Sequence, residues 1–181
     1  MGLRTRLLWI GAAIPLVLLF AAVVGAGLVF DRVILEEHDH LLLGQAGVEA
    51  VSLFDRADSP HLHLLESPLD RVVRDFAPRG ALYAPDGTLV TRYPADADVP
   101  THMDPRHLST EPQLQTVHDA IGRDRQLRVR VDDPEGRPYG LWLAASLYRH
   151  DREIESYWQI AGLALLLTSS VLLVVQIWHA N

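Results

Sequence analysis

The stretch LRVRVDDPEGRPYGLWLAASL, residues 127–147, decides the fold of this chain. Its first residues alternate apolar side chains with Arg128 and Arg130, which is the period of a strand that buries one face. The segment DDPEG at 132–136 supplies the proline and the glycine that a tight turn requires. Tyr139–Ser146 then returns with apolar residues at every second position, so the stretch predicts a β-hairpin.

A second hairpin is predicted upstream by ALYAPDGTLVTRYP, residues 81–94. Two short apolar runs flank Pro85-Asp86-Gly87, in which proline presets the turn and glycine accepts a conformation that other residues resist. Two hairpins give four antiparallel strands, and we expect one face of their sheet to pack against helices. The predicted fold class is therefore α+β.

Helical patterns account for much of the remaining central part. Asp31–Asp55 is expected to continue an apolar helix that precedes it, because it carries an apolar stripe at helical spacing. That stripe consists of Leu35, Leu42, Ala46, Ala50 and Leu53. Ser67-Pro68-Leu69-Asp70 has the cap, the proline and the acidic residue of a helix start. Glu111–Ile121 fits another helix, whereas Ala95–Pro112 is rich in turn residues and is predicted to be a loop.

Two apolar runs flank this central part. Leu7–Phe30 and Tyr157–Trp178 contain no charged residue, and each is long enough for a helix that crosses a hydrocarbon core of about 30 Å. All 23 acidic residues lie between the two runs. Arg4 and Arg6 precede the first run, and positive flanks stay on the cytoplasmic side. We therefore expect two transmembrane helices in a lipid bilayer, with both chain ends in the cytoplasm and the acidic middle outside.

These runs define the expected division of the chain. The expected parts are a cytoplasmic N-terminus at 1–6, a first span at 7–30, an extracytoplasmic domain at 31–156, a second span at 157–178 and the start of a cytoplasmic part at 179–181. The alternative for the first run is a cleaved signal peptide, which would give a mature N-terminus near Gly27. The length of the run favours a retained helix, because the apolar core of a signal peptide usually has about 7–15 residues.

Composition excludes several kinds of chemistry. The chain has no cysteine, so it forms neither disulfides nor thiolate metal sites. Its net charge of −7 argues against nucleic acid as a partner, since such binding needs a basic face. No local signature brings serine, histidine and aspartate together, so the sequence predicts no catalytic residue.

Arginines on the predicted strands are the candidates for ligand binding. Arg128 and Arg130 lie on the polar side of one strand, and Arg92 lies near the end of another. Guanidinium groups clamp carboxylates and phosphates, although exposed pairing with acidic residues is the alternative for these three. Trp142 alternates out of phase with its apolar neighbours, so its ring either covers the helix side of the sheet or lines a small cavity.

Histidine pairs are the candidates for metal binding, because imidazole and carboxylate suit transition metals such as zinc or copper. Two histidines that are two residues apart share a face of an extended segment but diverge on a helix. The predicted ligand pairs are therefore Glu36 with His40 on the helix and His61 with His63 in a break. His102, Met103 and His107 form a softer set of candidate ligands in the loop. The alternative is that these histidines are ordinary exposed side chains of an acidic domain, and no other cofactor is predicted in these residues.

The layout as a whole resembles that of a known family. It combines a short arginine-bearing N-terminus with GALYAPDGTLVTRYP at 80–94, and with LRVRVDDPEGRPYGLWLAASL running through YRHDREIE at 148–155 into the second span. In this it resembles the input half of bacterial two-component sensor histidine kinases. The resemblance implies a PAS-like or Cache-like domain in the inner membrane: a four-stranded antiparallel sheet with a long N-terminal helix, flanked by two transmembrane helices.

The same resemblance implies a homodimer that senses a small ligand or ion. A kinase part that uses ATP and Mg²⁺ and acts on a response regulator would follow VLLVVQIWHAN at 171–181. These residues themselves contain no catalytic part. The sequence thus predicts the sensing and coupling part of a membrane-bound receptor, in which a ligand shifts an equilibrium that biases the two membrane helices. The alternative is a two-span membrane protein with an extracytoplasmic metal- or ligand-binding domain and no kinase module.

Overall fold

The computed structural model describes residues 3–55, 60–63, 79–118 and 122–180. The chain divides into two compact units, one of residues 1–34 with 149–181 and one of residues 35–148. The elements in chain order are helix α1 (Leu3–Ser52), strands β1 (Arg79–Tyr83) and β2 (Leu89–Tyr93), a short 3₁₀ turn (Pro105–His107), strands β3 (Gln113–His118), β4 (Arg123–Asp132) and β5 (Pro138–Ser146), and helix α2 (Tyr148–Ala180). The continuous helix expected through Asp31–Asp55 is confirmed as far as Ser52.

The strands form one antiparallel sheet in the order β2-β1-β5-β4-β3. Both predicted hairpins are confirmed, as β1–β2 and β4–β5. The prediction of four strands is wrong, because the segment expected to be a helix over Glu111–Ile121 contains β3. Apolar residues in so short a segment fit either period, and here Gln113–His118 pairs along its length with Arg123–Arg128 of β4.

The two hairpin turns have the same construction. In the first, the Gly87 N–H donates to the carbonyl oxygen of Ala84 at 2.8 Å; in the second, the Gly136 N–H donates to that of Asp133 at 2.9 Å. Both glycines have positive φ, 84° and 78°. Side chains with a Cβ avoid this left-handed conformation, which explains why both turns end in glycine.

The C-terminal half of α1 covers one face of the sheet, which we call the helix-covered face. Leu42, Ala46 and Leu53 of the predicted stripe are buried there. They belong to one apolar core with Leu62 and with the strand residues Leu82, Leu127, Val129, Leu141, Leu143 and Ala145. Arg125 of β4 adds a polar link, because its Nε and Nη2 donate to the two carboxylate oxygens of Asp39 on α1 at 2.6 and 2.8 Å.

The segment between β2 and β3 covers the opposite face of the sheet, which we call the loop-covered face. Ala97, Val99 and Met103 of this segment are buried in a second apolar cluster. The sheet contributes Ala81, Tyr83, Trp142 and Ala144 to that cluster. The segment is held by the hairpin turn, since the Met103 N–H donates to the carbonyl oxygen of Gly87 at 3.2 Å. The predicted loop over Ala95–Pro112 is thus a covering layer, interrupted by the single 3₁₀ turn.

Two helices in the described part of the chain are long and apolar enough to cross a membrane, judged by length and composition: Ala13–Ser52 and Tyr148–Trp178. Large apolar side chains on both are more than half exposed, among them Val17, Leu18, Phe20, Leu163, Leu166 and Val174. Exposed apolar surface of this kind is uncommon on soluble monomers. The expected helix from Leu147 towards the second span is confirmed, because α2 runs without a break from Tyr148.

Within the unit of residues 1–34 and 149–181, the two helices approach closely at Gly27. A Cβ at Gly27 would lie 2.7 Å from Cζ2 of Trp158 and 2.8 Å from Cε1 of Tyr157. The Tyr157 hydroxyl donates to the carbonyl oxygen of Val23 at 2.7 Å. Further along the pair, His150 is buried and its Nε2 lies 2.8 Å from Oδ1 of Asp31. The absence of a side chain at Gly27 therefore permits this packing.

The predicted helix start at Ser67–Asp70 lies outside the described residues.

Candidate ligand-binding site

One row of cross-strand neighbours brings together three of the four predicted ligand-binding residues. Trp142 on β5 lies opposite Arg128 on β4 and opposite Ala81 on β1, and Ala81 lies opposite Arg92 on β2. Directly opposed residues project to the same face of a sheet. The three residues therefore share the loop-covered face, and Arg130, two residues further along β4, projects to the same side.

Trp142 occupies the centre of this face and is only 1% exposed. The sequence left open whether its ring covers the helix side, and the structure places it on the side away from α1. Its Nε1 donates to Oε1 of Gln126 at 3.3 Å, and Nη2 of Arg128 donates to the same oxygen at 3.3 Å. The side-chain amide of Gln115 orients its oxygen towards Arg128. In this orientation the oxygen accepts a hydrogen bond from Nη2 of Arg128 at 2.8 Å. A buried indole and a guanidinium are thus joined through glutamine side chains.

Tyr83 borders the same cluster and is fully buried. Its hydroxyl donates to the carbonyl oxygen of Pro100 in the covering segment at 2.5 Å. Burial raises the pKa of Tyr83 to about 12, and the positive charge of Arg128 partly opposes this rise. Tyr83 is therefore a neutral hydrogen-bond donor at physiological pH.

Arg79 and Asp124 form an ion pair at the other end of the face. The guanidinium carbon of Arg79 lies 6.0 Å from the centre of the Trp142 ring, at the outer limit of a cation–π contact. Asp124 is buried, and its ion pair with the Arg79 guanidinium offsets the cost of removing the carboxylate from water. This pair orders the wall of the site beside Trp142.

Arg128 differs in its partners from the other arginines on this face. Its guanidinium contacts glutamine oxygens, and none of the carboxylates in the described part of the chain lies within ion-pair distance of it. Arg130 instead donates from Nε and Nη2 to Asp132 at 2.7 and 3.0 Å, and these hydrogen bonds raise the pKa of Arg130 above its usual value. Arg92 donates from Nη1 to the carbonyl oxygen of Ala97 at 3.3 Å. Arg128 and Arg92 thus contact neutral oxygens, and Arg128, which is the less exposed of the two and lies opposite Trp142, is the better placed for an anionic ligand.

Five residues of this site escaped the sequence prediction: Arg79, Tyr83, Gln115, Asp124 and Gln126. Gln126 could have been predicted from the sequence, because it lies two residues before Arg128 on a strand whose alternating pattern was recognised. Tyr83 and Arg79 required the pairing of β1 with β5, which no local pattern specifies.

The structure brings one predicted histidine pair together and adds a third residue to it. Nε2 of His61 and Nε2 of His63 lie 3.4 Å from Oδ1 and Oδ2 of Asp55, respectively, and the ring centres are 4.5 Å apart. One ligand atom from each of these residues falls within 4.8 Å of the other two. Asp55 was not predicted, because its position depends on how the chain folds back after α1.

The other predicted metal ligands lie on α1 and in the segment between β2 and β3. Glu36 and His40 are both exposed on α1. His107 pairs with Asp104, with Nδ1 3.1 Å from Oδ2, whereas the ring of His102 packs where a Cβ of Gly87 would lie. Neither pair acquires a third histidine or carboxylate ligand within the described ranges.

An open groove of about 340 Å³ lies on the other side of β4, between α1 and the segment that precedes β3. Its lining includes Leu43, Ala46, Gly47 and Ala50 of α1, together with Thr110, Pro112 and Val129–Asp132. The lining is mostly apolar, with Arg130 and Asp132 at its edge. The groove lacks the converging polar groups that characterise the loop-covered face.

Comparison with known proteins gives one structural similarity. No family model matches the sequence, and no curated protein matches it. Among solved structures, the chain is similar to the ligand-binding domain of the amino acid chemoreceptor PctC of Pseudomonas aeruginosa PAO1 in complex with GABA, at 24% identity and a TM-score of 0.45. The similarity covers 67% of this chain and 58% of that chain. A TM-score of this size does not establish a common fold, so the architecture rests on the sheet order and register given above.

Proposed function

We propose that this chain is the sensing and coupling part of a membrane-bound bacterial signal receptor. The proposal is supported by the site on the loop-covered face, where Arg128 and Trp142 meet under a covering segment. A guanidinium that already contacts neutral amide oxygens can form charge-assisted hydrogen bonds with a carboxylate or phosphate at little structural cost. The buried indole and Tyr83 favour a ligand with an apolar part beside its anionic group. We therefore expect a small anionic metabolite as the signal.

The connections of the site to the two apolar helices support a coupling role. On β4, Arg128 projects to the loop-covered face while Arg125 projects to the other face and holds Asp39 of α1. On β5, the strand that carries Trp142 ends at Ser146, and α2 begins at Tyr148. The single connecting residue, Leu147, is fully buried, and its N–H donates to the carbonyl oxygen of Arg123 at 2.8 Å. A shift of β4 or β5 would therefore reach both helices through short, well-packed links.

The arrangement in the membrane belongs to the same proposal. Residues 7–30 and 157–178 span the inner membrane of a bacterium, 31–156 lie outside the cytoplasm, and residues 1–6 and 179–181 lie within it. The exposed apolar side chains of α1 and α2 would then face lipid, in which their exposure has no cost. The domain between the spans would take the PAS-like or Cache-like role, and the receptor would work as a homodimer.

We further propose that the output is a histidine kinase, which uses ATP and Mg²⁺ and acts on a response regulator. The support is the layout of the sequence around its two hairpins and spans. The coding sequence after the codon for Asn181 tests this directly. A helix with a phosphoacceptor histidine followed by an ATP-binding domain is expected. A different signalling module would retain the receptor and reject the kinase, and a stop codon would reject both.

Ligand binding is tested by calorimetric titration of the full chain in lipid nanodiscs with short mono- and dicarboxylates, amino acids and inorganic phosphate. Arg128→Gln removes a charge-assisted contact of about 1.5–3 kcal/mol, so affinity for the ligand found should fall by about 10- to 100-fold. Arg130→Gln is the matched control, because Asp132 already engages that guanidinium and affinity should be nearly unchanged. Equal affinity of the Arg128→Gln variant and the unaltered chain would contradict the proposed site.

A further inference from the structure

The cluster of Asp55, His61 and His63 lies apart from the sheet site, just beyond the C-terminal end of α1. Both imidazole nitrogens that face the carboxylate are 3.4 Å from one of its oxygens. Ligand atoms bound tetrahedrally at about 2.0–2.1 Å from zinc are about 3.3 Å from one another. The distances between the carboxylate and the two rings therefore already match those of ligands that share a metal ion.

The segment that carries the two histidines is fixed by its own backbone contacts. Leu62 between them is fully buried in the core, so both neighbouring side chains project away from it to the same side. The His61 N–H donates to the carbonyl oxygen of Leu53 at 3.2 Å, and the His63 N–H donates to Oε2 of Glu49 at 2.8 Å.

Glu49 itself is a fully buried carboxylate on α1, and it accepts a further hydrogen bond from Nε2 of Gln45 at 2.8 Å. A buried carboxylate is costly unless its hydrogen bonds are made, so this contact resists displacement of the His63 backbone. The two rings are thereby held near Asp55 before any metal binds, and such preorganisation favours binding.

We propose that Asp55, His61 and His63 form a binding site for a divalent transition metal ion, of which zinc suits the two imidazoles and one carboxylate best. Three protein ligands leave the fourth tetrahedral position open for water or for a ligand from outside the cluster. Because Asp55 follows α1 and both histidines belong to the returning segment, a bound ion clamps that segment to the end of the helix. This site goes beyond the proposed receptor function and does not depend on the loop-covered face.

The test is calorimetric titration of the full chain in lipid nanodiscs with Zn²⁺ alone. We expect about one ion per chain with a micromolar or lower Kd, and a higher melting temperature when Zn²⁺ is present. The double variant His61→Ala/His63→Ala should weaken binding more than tenfold and lose the thermal shift. Asp55→Asn, a change at an exposed residue that leaves both rings in place, should weaken binding to a smaller extent. The matched control is His102→Ala/His107→Ala, which removes two histidines of the covering segment and should bind Zn²⁺ like the unaltered chain.

Three outcomes would overturn the proposal: no binding by the unaltered chain, equal binding by the His61→Ala/His63→Ala variant, or loss of binding in the His102→Ala/His107→Ala variant alone. If the histidine variant does not fold, Asp55→Asn decides the matter, together with the absorption spectrum of the unaltered chain with Co²⁺ in place of Zn²⁺. Intense tetrahedral d–d bands that weaken in Asp55→Asn support the site, whereas a spectrum like that of hydrated Co²⁺ contradicts it. Failure of this test leaves the Arg128 titration unaffected, so the two proposals fail separately.

Discussion

At the scale of single residues, the loop-covered face combines groups that are costly to bury with partners that offset the cost. Tyr83 is fully buried, yet its hydroxyl donates to the carbonyl oxygen of Pro100 at 2.5 Å. Trp142 is almost fully buried, and its Nε1 donates to Gln126. These hydrogen bonds fix the two rings beside Arg128. The guanidinium of Arg128 contacts neutral amide oxygens, so its positive charge is not paired by these neighbours. At the proposed ligand site, this charge would favour an anionic ligand.

The phenol of Tyr83 should ionise well above its ordinary pKa of 10.0, near 12. Because the folded state keeps its proton where the unfolded state loses it, Tyr83 contributes stability below about pH 10 that is lost between about pH 10 and 12. Spectrophotometric titration of tyrosinate absorbance, compared with that of Tyr83→Phe, measures this. The difference between the two curves should be a single step near pH 12. A step near pH 10 would show that the phenol is solvated and would contradict the full burial of Tyr83.

The candidate residues could be predicted only in part. Strand alternation identified Arg128 and Trp142, because period-2 patterning shows which residues share a face. The same rule identified His61 and His63 as a convergent pair. Asp55 and Tyr83 were missed, because their places are set by a chain reversal and by the pairing of β1 with β5, neither of which leaves a local pattern.

At the scale of elements, the two hairpins supply four of the five strands, and the residue types of their turns predicted both hairpins from the sequence. Proline and glycine stand at the same places in both turns, and both glycines adopt positive φ. Strand β3 could not be predicted from the sequence, because the apolar residues of this segment fit the period of a helix as well as that of a strand. Pairing with β4 decided its conformation, as tertiary context often does for weak local preferences.

The two turn glycines should respond differently to alanine. At Gly136 no atom of the described residues lies within 4 Å of an added Cβ, so Gly136→Ala tests the positive φ alone and should cost about 1–2 kcal/mol of unfolding free energy. At Gly87 an added Cβ would also lie 2.4 Å from Nε2 of His102, so Gly87→Ala should cost more. Gly122→Ala is the control, because φ there is outside the left-handed region and no atom of the described residues lies within 4 Å of an added Cβ. Thermal melts of the full chain give the order, and equal melting temperatures for the Gly87 and Gly136 variants would contradict the packing of His102.

At the scale of the whole molecule, the chain passes from the sheet domain into each apolar helix without an intervening linker. Helix α1 runs without interruption from the first apolar run to Ser52 and contributes Leu42, Ala46 and Leu53 to the core of the sheet domain. Strand β5 passes into α2 through Leu147 alone. In the proposed receptor, this domain and the output lie on opposite sides of the membrane, so a change of conformation would pass through both spans.

Because the chain has no cysteine, single introduced cysteines can report its sidedness directly. Thr101→Cys lies at an exposed position of the covering segment, while Thr5→Cys and Asn181→Cys lie near the two chain ends. In right-side-out spheroplasts treated with a membrane-impermeant maleimide, we expect labelling at position 101 alone, and labelling at positions 5 and 181 only after the membrane is permeabilised. Protection of position 101 in intact spheroplasts, or labelling of either chain end there, would contradict the central claim.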